Sequence, residues 1–341
     1  MTRKSEAMAR RNAGMVRKDV ATAGKSCGVA LKYAVLALKY AFLARKSVAM
    51  SQKREGVARR IMLLCLLALV SVASVGQKRW MVKLRAMTFN IRTDSHADGR
   101  NNWEMRYLKV ADFLEKSKSD IVGLQEVKDN QLQDLATRLT DYGFVGQARD
   151  DGKRQGEYNP IFYKKNRFNL LRSGTFWLSP NSEEPSLGWD AAYKRIATWA
   201  ILQDKATMKS VVVVNTHLDH VGALSRVNGA SLIKERVSRM TNELPIILMG
   251  DLNTTDRDPV YAKILNGYFP MQDTHKVAED LKGPAETFNG FGLCKDDERI
   301  RKDFIFVTTK VRVRSERVWP SALKHGFYLS DHNAVSADLV F

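Results

Sequence analysis

The run Ser210-Val-Val-Val-Val-Asn-Thr-His217 decides how this chain is read. Four consecutive valines suit a pleated strand, and an unbroken apolar run fits a strand covered on both faces, as the inner strands of a layered α/β fold are. The run then stops on three polar residues, Asn215, Thr216 and His217. Outward from it, short strands are expected at 84–91, 121–124, 161–163, 198–202, 245–249, 304–307 and 334–341, each rich in Val, Ile, Phe or Leu. Helices are expected at 103–117, 130–140, 222–242 and 259–265. In the first of these, Leu108, Ala111, Phe113 and Leu114 make an apolar stripe, and Ser119-Asp120 closes it. Strands alternating with helices predict an α/β layered fold with sheets buried under helices. No Gly-, Pro- or Ser-rich linker divides the body, so 77–341 reads as one domain.

The 341 residues carry 55 Lys plus Arg against 37 Asp plus Glu, a formal net charge of +18. That balance first suggests a nucleic-acid binder, but its placement does not. Residues 1–60 hold 15 basic and 3 acidic side chains, whereas from Met81 onward there are 38 against 34. The body therefore shows no strong basic patch of the kind that grips a duplex. Of the three cysteines, only Cys294 lies in the body, so a disulfide framework there is excluded and stability must come from a packed core.

Residues 61–76 run 16 positions without a charge, after Arg59-Arg60 and before Gln77-Lys78-Arg79. A spanning helix wants about 20 apolar residues, while an export signal wants a basic start, a shorter apolar stretch and small residues at its exit. The second description fits, with Ser74 and Gly76 as the small positions, and predicts a secreted or periplasmic protein; an uncleaved membrane anchor is the alternative. The preceding segment, 1–60, is a basic extension that a start at Met50 would shorten to an ordinary signal n-region. Within it the tandem Ala30-Leu-Lys-Tyr-Ala-Val-Leu36 and Ala37-Leu-Lys-Tyr-Ala-Phe-Leu43 reads as a short basic amphipathic helix able to touch an anionic membrane, or as non-physiological sequence.

Several expected strands end on an unusual polar set: Asn90, Gln125-Glu126, Asn215-Thr216-His217, Asp251-Leu252-Asn253, Asp303 and Ser330-Asp331-His332-Asn333. One such ending is an ordinary turn residue; five or more together mark the strand ends where α/β folds collect their sites. The residue types suit metal-assisted attack on phosphorus. Oxygen donors such as Glu126 and Asn90, with no thiolate, fit a hard cation. His217, Asn253 and His332 could face the charge on a phosphoryl group, Asp251 could take a proton from water, and Asp303 could hold His332 protonated.

The ordered series Met87-Thr-Phe-Asn90-Ile-Arg92, Gln125-Glu126-Val127, Asn215-Thr-His217-Leu-Asp219, Gly250-Asp251-Leu-Asn253, Lys302-Asp303-Phe-Ile-Phe306 and Ser330-Asp331-His332-Asn333-Ala334-Val335 resembles the endonuclease/exonuclease/phosphatase superfamily over about residues 83–341. The resemblance implies a deoxyribonuclease I-like four-layer sandwich, two mixed β-sheets flanked by helices, that hydrolyses phosphoesters with Mg2+ or Mn2+. It implies Asn90, Glu126 and Asp331 at the metal, Asp251 activating or orienting water with Asn253 beside it, His217 on the phosphate, and His332 with Asp303 stabilising its developing charge. Tyr158, in Gly156-Glu-Tyr-Asn-Pro160, stands where many relatives have a phosphate-contacting tyrosine, with an ordinary packing role as the alternative.

Other residues have bland readings beside functional ones. His220 fits a solvent-exposed position ahead of a helix better than a metal ligand, and Asp219 fits a cap for that helix. Arg226 is a weaker candidate for substrate contact. Arg92 and Arg195 could grip phosphate or form ion pairs. Trp103, Trp177, Trp189 and Trp199 suit core or rim positions. The superfamily's substrates leave a monomeric phosphoesterase acting on nucleic acid, phospholipid or a small phosphate ester. The specific alternatives are a secreted nuclease on DNA or RNA, a sphingomyelinase-like lipid phosphodiesterase, and a silent module that binds phosphorylated ligands. Arg92 stands where repair-type relatives carry an acid, which disfavours an abasic-site endonuclease and a second cation.

Overall fold

The computed structural model describes residues 35–40 and 81–341, apart from Asn242. Two units are distinguished, 1–80 and 81–341. In the first, residues 35–40 are helical; the apolar run 61–76 and most of the tandem repeat lie outside the described residues. No helix among the described residues is long and apolar enough to cross a membrane.

The second unit holds two mixed sheets, their strands numbered in chain order. One has seven strands in the order β10 (Leu281–Lys282), β12 (Arg312–Trp319), β13 (Ala334–Val340), β1 (Lys83–Asn90), β2 (Ile121–Gln125), β4 (Ile161–Lys164) and β3 (Tyr142–Val145). The other has six, in the order β5 (Phe168–Trp177), β6 (Ile196–Asp204), β7 (Ser210–His217), β8 (Ile246–Asp251), β11 (Asp303–Thr308) and β9 (Met271–Asp273). β1 and β2 run parallel, as do β7 and β8, and their C-terminal ends point to one edge of the sandwich.

The valine run shows why the sheets stack. Val211 and Val213 face the other sheet in a core shared with Leu84, Ala86, Ile305 and Val335, whereas Val212 and Val214 pack outward with Ala230 and Ile233 of the helix α3 (Ala223–Met240). Side chains alternate across a strand, so a strand that is apolar at every position must be covered twice. On the far side of the first sheet, Met87, Phe89, Val122 and Leu124 pack under α1 (Trp103–Ser117) and α2 (Asp129–Arg138). The layers are helix, sheet, sheet, helix. The smaller helices α4 (Pro259–Leu265) and α5 (Thr274–Val277) complete the unit.

Helix α1 runs over the expected residues, but its buried stripe is Trp103, Arg106, Val110, Ala111, Leu114 and Ser117. Leu108 is 40% exposed and Phe113 half-buried, which corrects the expected stripe. Asn102 caps the start through the Met105 N–H, and Lys118, with φ of 54°, turns the chain at the end. Strands β3, β5, β9, β10 and β12 were not expected from sequence; β5 is an edge strand with exposed polar positions at Asn169 and Arg172.

Between the sheets lies a polar clasp. The Asn215 Nδ2 donates to the carbonyls of Leu124 (2.8 Å) and Pro160 (2.9 Å), while Asn215 Oδ1 accepts from Gln125 Nε2 (2.7 Å), which also reaches Thr88 Oγ1 (3.0 Å). All three side chains are fully buried. Gly123 makes room for it, since a Cβ there would come 2.7 Å from Asn215 Cγ.

Candidate active site

The edge where β1, β2, β7 and β8 end collects most of the expected polar residues. Asp251 closes β8 opposite His217 on parallel β7 and opposite Asp303 at the start of antiparallel β11. Gly250 has φ of 151°, and a Cβ on it would lie 1.9 Å from the Thr216 carbonyl oxygen, so β7 and β8 meet this closely only with glycine there.

Asp251 stands at the centre. Its Oδ1 accepts from the Asn253 backbone N–H (2.9 Å) and its Oδ2 from Asn90 Nδ2 (3.0 Å). Both His217 Nε2 and His332 Nε2 approach Oδ2, at 3.6 and 3.7 Å. These separations exceed a hydrogen bond and match a gap that a water molecule, able to donate to the carboxylate, bridges. Burial, and then the neighbouring Asp303 carboxylate, push the Asp251 carboxyl up to about 6 against the opposing pull of His332.

The two imidazoles are in opposite states. Burial lowers the basicity of His332, but Asp303, with Oδ2 at 2.8 Å from Nδ1, and Asp251 more than offset it and carry its pKa to about 10. Burial, followed by the charges of Arg195 and Arg149, holds His217 well below its usual value. Neutral His217 accepts through Nε2 from Asn253 Nδ2 at 2.9 Å, so its proton sits on Nδ1, which has no hydrogen-bond partner. The site thus offers a neutral imidazole, an imidazolium and, between them, a carboxylate that titrates near neutrality. Asp251, Asp303 and His332 also lie close enough together to hold an ion. In this structure the trio is an ion-paired acid group, with the His332 imidazole protonated beside Asp303.

A second acidic group lies at the end of the other sheet. Glu126 has φ of 61°, strained backbone of the kind that clusters at working sites. Its Oε1 accepts from Asn90 Nδ2 (2.9 Å) and its Oε2 from the Thr93 N–H (3.0 Å). Although burial opposes it, these bonds together with His332 and Arg92 hold Glu126 ionised, below its ordinary pKa. Asp331 is close enough for the Glu126 charge to raise its carboxyl, though burial is the larger cause. Ionised, half-buried Glu126 with neighbouring Asp331 is an oxygen-only donor set, without sulfur, that fits a hard divalent cation.

Asn90 takes a different posture from that of a ligand. Its Oδ1 accepts the Arg92 N–H (2.9 Å), and its Nδ2 spans Glu126 and Asp251. In this structure it braces two carboxylates across the sheets. Tyr158 is buried, and its hydroxyl donates to Asp129 Oδ1 (3.0 Å) and the Lys153 carbonyl (2.8 Å). Asp219 braces the turn ahead of α3 and does not cap the helix: Oδ1 accepts from Val221 (3.0 Å) and Gly222 (2.8 Å) and Oδ2 from Arg195 Nε, while the first-turn N–H groups of Leu224 and Ser225 donate to Asp190. Arg92 is held in two bonds by Asp98, and Arg195 is buried on Asp219, so both form ion pairs. Arg226 donates to the Asp219 carbonyl, and His220 is exposed ahead of α3.

Three contributors were not recognised in the sequence. Arg106, on the buried stripe of α1, donates to the carbonyls of Ile91 and Leu329 (2.7 Å each), clasping the turns after Asn90 and before Asp331. A charged residue three and four positions from Trp103 and Val110 on an apolar stripe is the signal for it. Glu157 lies close enough to Glu126 to feel its charge, and burial chiefly raises its pKa. Arg149 pairs with Glu157 at 2.5 Å.

Residues 87–332 match the sequence model described as the Endonuclease/Exonuclease/phosphatase family. Among solved structures the chain is similar to an endonuclease/exonuclease/phosphatase from Bacteroides vulgatus, at 43% identity and a TM-score of 0.73, covering 76% of this chain and 98% of that one. It is also similar to a mannosyl-6-phosphatase of Bacteroides thetaiotaomicron, at 30% identity and a TM-score of 0.70, over 76% of this chain and all of that one. A curated relative, Nocturnin of Drosophila melanogaster, is 28% identical over 178 residues, 48% of this chain. The chain spans about a quarter of the length of the curated relatives it matches.

Proposed function

The chain belongs to the endonuclease/exonuclease/phosphatase family, with its deoxyribonuclease I-like sandwich, and from that membership and the order of charge across the site we propose that it is a divalent-metal-dependent phosphoester hydrolase. One observation carries the reading: a carboxylate with a pKa of about 6 stands between a neutral and a protonated imidazole, with ionised Glu126 bonded to the same asparagine.

Glu126, aided by Asp331, would hold Mg2+ or Mn2+, and Asn90 braces Glu126 against Asp251. A cation bound there would supply Lewis-acid polarisation of the phosphoryl group. Asp251 takes the proton of the attacking water, with a pKa near the working pH as a general base needs. Protonated His332, kept so by Asp303, donates through Nε2 to a phosphoryl oxygen whose charge grows in the transition state. His217 and Asn253 form the opposite wall, where Asn253 orients both Asp251 and the imidazole. Tyr158, bonded to Asp129 and the Lys153 carbonyl, is read as a packing residue.

The relatives include a phosphatase of a sugar phosphate, and the near-neutral body lacks the charge excess of a duplex binder, so a small phosphate ester is favoured over nucleic acid. Residues 61–76 are assigned to export, with residues 77–341 as the mature catalytic domain; N-terminal sequencing of protein recovered outside the cell tests this, and a product that begins upstream of 61 refutes it. For the reaction, p-nitrophenyl phosphate and bis-p-nitrophenyl phosphate are assayed with Mg2+, Mn2+ and chelator. Activity that survives the chelator, or a Glu126→Ala variant that keeps more than about a thousandth of wild-type turnover, removes the proposed chemistry.

A further inference from the structure

Arg106 is the one charge in the buried stripe of α1, and its surroundings are unusual for a cation. It is 1% exposed, and among the described residues no carboxylate pairs with it. Every hydrogen bond it makes runs to a backbone carbonyl: Nε to Asn101 (2.5 Å), Nη1 to Ile91 and Leu329 (2.7 Å each) and Nη2 to Arg92 (3.2 Å). Its guanidinium carbon lies 5.4 and 5.8 Å from the ring centroids of Trp103 and Phe291. Burial lowers its pKa to about 10, which leaves it charged at neutral pH. A buried charge without a counter-charge costs stability, and an apolar side chain fills such a stripe without that cost. What the arginine adds is the reach of its fork.

The four carbonyls belong to three segments that meet beside the acids of the site. Ile91 and Arg92 open the turn after β1, and the next residue, Thr93, donates its N–H to Glu126 Oε2 (3.0 Å). Leu329 stands two residues before Asp331, and Ser330 between them donates to the Asn90 carbonyl (2.6 Å). Asn101 lies just ahead of α1, and its Oδ1 accepts the Tyr328 N–H (3.1 Å). The ladder between β1 and β13 does not reach these segments, because its last rung is Thr88 with Val335. We propose that Arg106 is a positioning residue for the divalent cation: by tying the turn after β1 to the loop before β13, it keeps the Glu126 and Asp331 carboxylates together as one ligand set and so fixes the affinity for the ion. This rests on the hydrolase reading above and deepens it. Lysine keeps the charge but presents its donors from a single nitrogen, so it cannot join three segments at once.

The test measures Mn2+ binding without substrate, by electron paramagnetic resonance of the free ion, in wild type, Glu126→Ala, Arg106→Lys and Arg106→Ala, with the Tm of each. Wild type should bind Mn2+ in a way that Glu126→Ala abolishes. Both Arg106 variants should bind it about tenfold to a hundredfold more weakly. Guanidinium at about 20 mM, far below denaturing levels, should strengthen binding about threefold or more in Arg106→Ala by refilling the vacated place, and sodium chloride at the same concentration should not. With p-nitrophenyl phosphate, the half-saturating Mn2+ concentration should rise by the same factor as the binding constant. A purely structural role lowers Tm and leaves Mn2+ affinity within about twofold, which overturns the proposal. So does native affinity in Arg106→Lys, since charge alone then suffices, and so does recovery that is absent or equal with salt. Should Arg106→Ala fail to fold, Arg106→Lys decides. Mn2+ binding that Glu126→Ala leaves unchanged sinks the cation site and this role with it. If Glu126-dependent binding is weakened in the Arg106 variants but no phosphoester is hydrolysed by wild type, the hydrolase reading fails and the role of Arg106 stands.

Discussion

Asp303→Asn isolates the charge on which the proposed reaction turns. In the native protein His332 Nδ1 lies 2.8 Å from Asp303 Oδ2, with both side chains buried, and the imidazole's pKa stands at about 10. The amide keeps an oxygen in place as acceptor and removes the charge. Burial is then opposed chiefly by Asp251, and the pKa returns to roughly the ordinary 6.5. At pH 7.5 the protonated fraction of His332 drops from nearly all to about one in eleven. Loss of protonation therefore lowers turnover about tenfold, and poorer orientation of the ring brings the total to between about 10² and 10⁴. The assay is kcat against pH on bis-p-nitrophenyl phosphate with Mg2+. Wild type should give a bell with limbs near 6, from Asp251, and near 10, from His332. The variant's alkaline limb should fall to about 6.5–7, leaving almost no plateau. A variant with near-native turnover at pH 9 would refute the acid role of His332.

Four further outcomes follow from the geometry. A cation present at one hundred times its Kd should raise wild-type stability by about 2.7 kcal/mol, seen as a Tm rise of several degrees, with no rise in Glu126→Ala; an equal rise in the variant places the cation elsewhere. Asn215→Ala leaves the carbonyls of Leu124 and Pro160 and the amide of Gln125 short of partners, at a cost of about 2–5 kcal/mol in urea unfolding; a loss below about 0.5 kcal/mol contradicts the clasp. Gly250→Ala should cost more than about 4 kcal/mol or prevent folding, because its Cβ meets the Thr216 oxygen at 1.9 Å; soluble protein of native Tm counts against it. His332 has a folded pKa raised from 6.5 to about 10, so its stabilising effect is whole below 6.5 and is lost as pH rises through 10. The stability gap between wild type and His332→Gln should therefore narrow from pH 7 to 10, and a constant gap would sink the charge assignment.

Where residue pattern and burial speak together, the chain was legible. The valines of β7 announced a strand covered twice, and α1 and α4 run over the residues their sequence indicates. His217, Asp251, Asp303 and His332 were legible because each follows or opens an apolar strand that forces it to the sheet edge. Strand β5 was not, because an edge strand carries polar residues on its free face, as Asn169 and Arg172 do. Strand β12 hid for another reason: Glu316 points inward, bonded to His275 Nδ1 at 2.8 Å, and breaks the apolar alternation of Val313 and Val318. Leu108 misled because an apolar residue can sit outside a helix's buried arc. Arg149 and Glu157 face each other across the loop between β3 and β4 and Tyr193 comes from the loop before β6, a convergence no local pattern encodes. Glu157 alone left a trace, since it precedes Tyr158 and neighbours in extended chain face opposite ways.

The Gln125–Asn215 contact has a mechanical consequence. Glu126 rides on one plate of the molecule and His217 and Asp251 on the other, so the two halves of the machinery are aligned by whatever keys the plates together. A slip of one residue, about 3.3 Å, would carry them out of mutual reach. Turnover should thus respond to repacking deep between the plates, at Val213 or Ile305 for instance, far from any group that meets the phosphate.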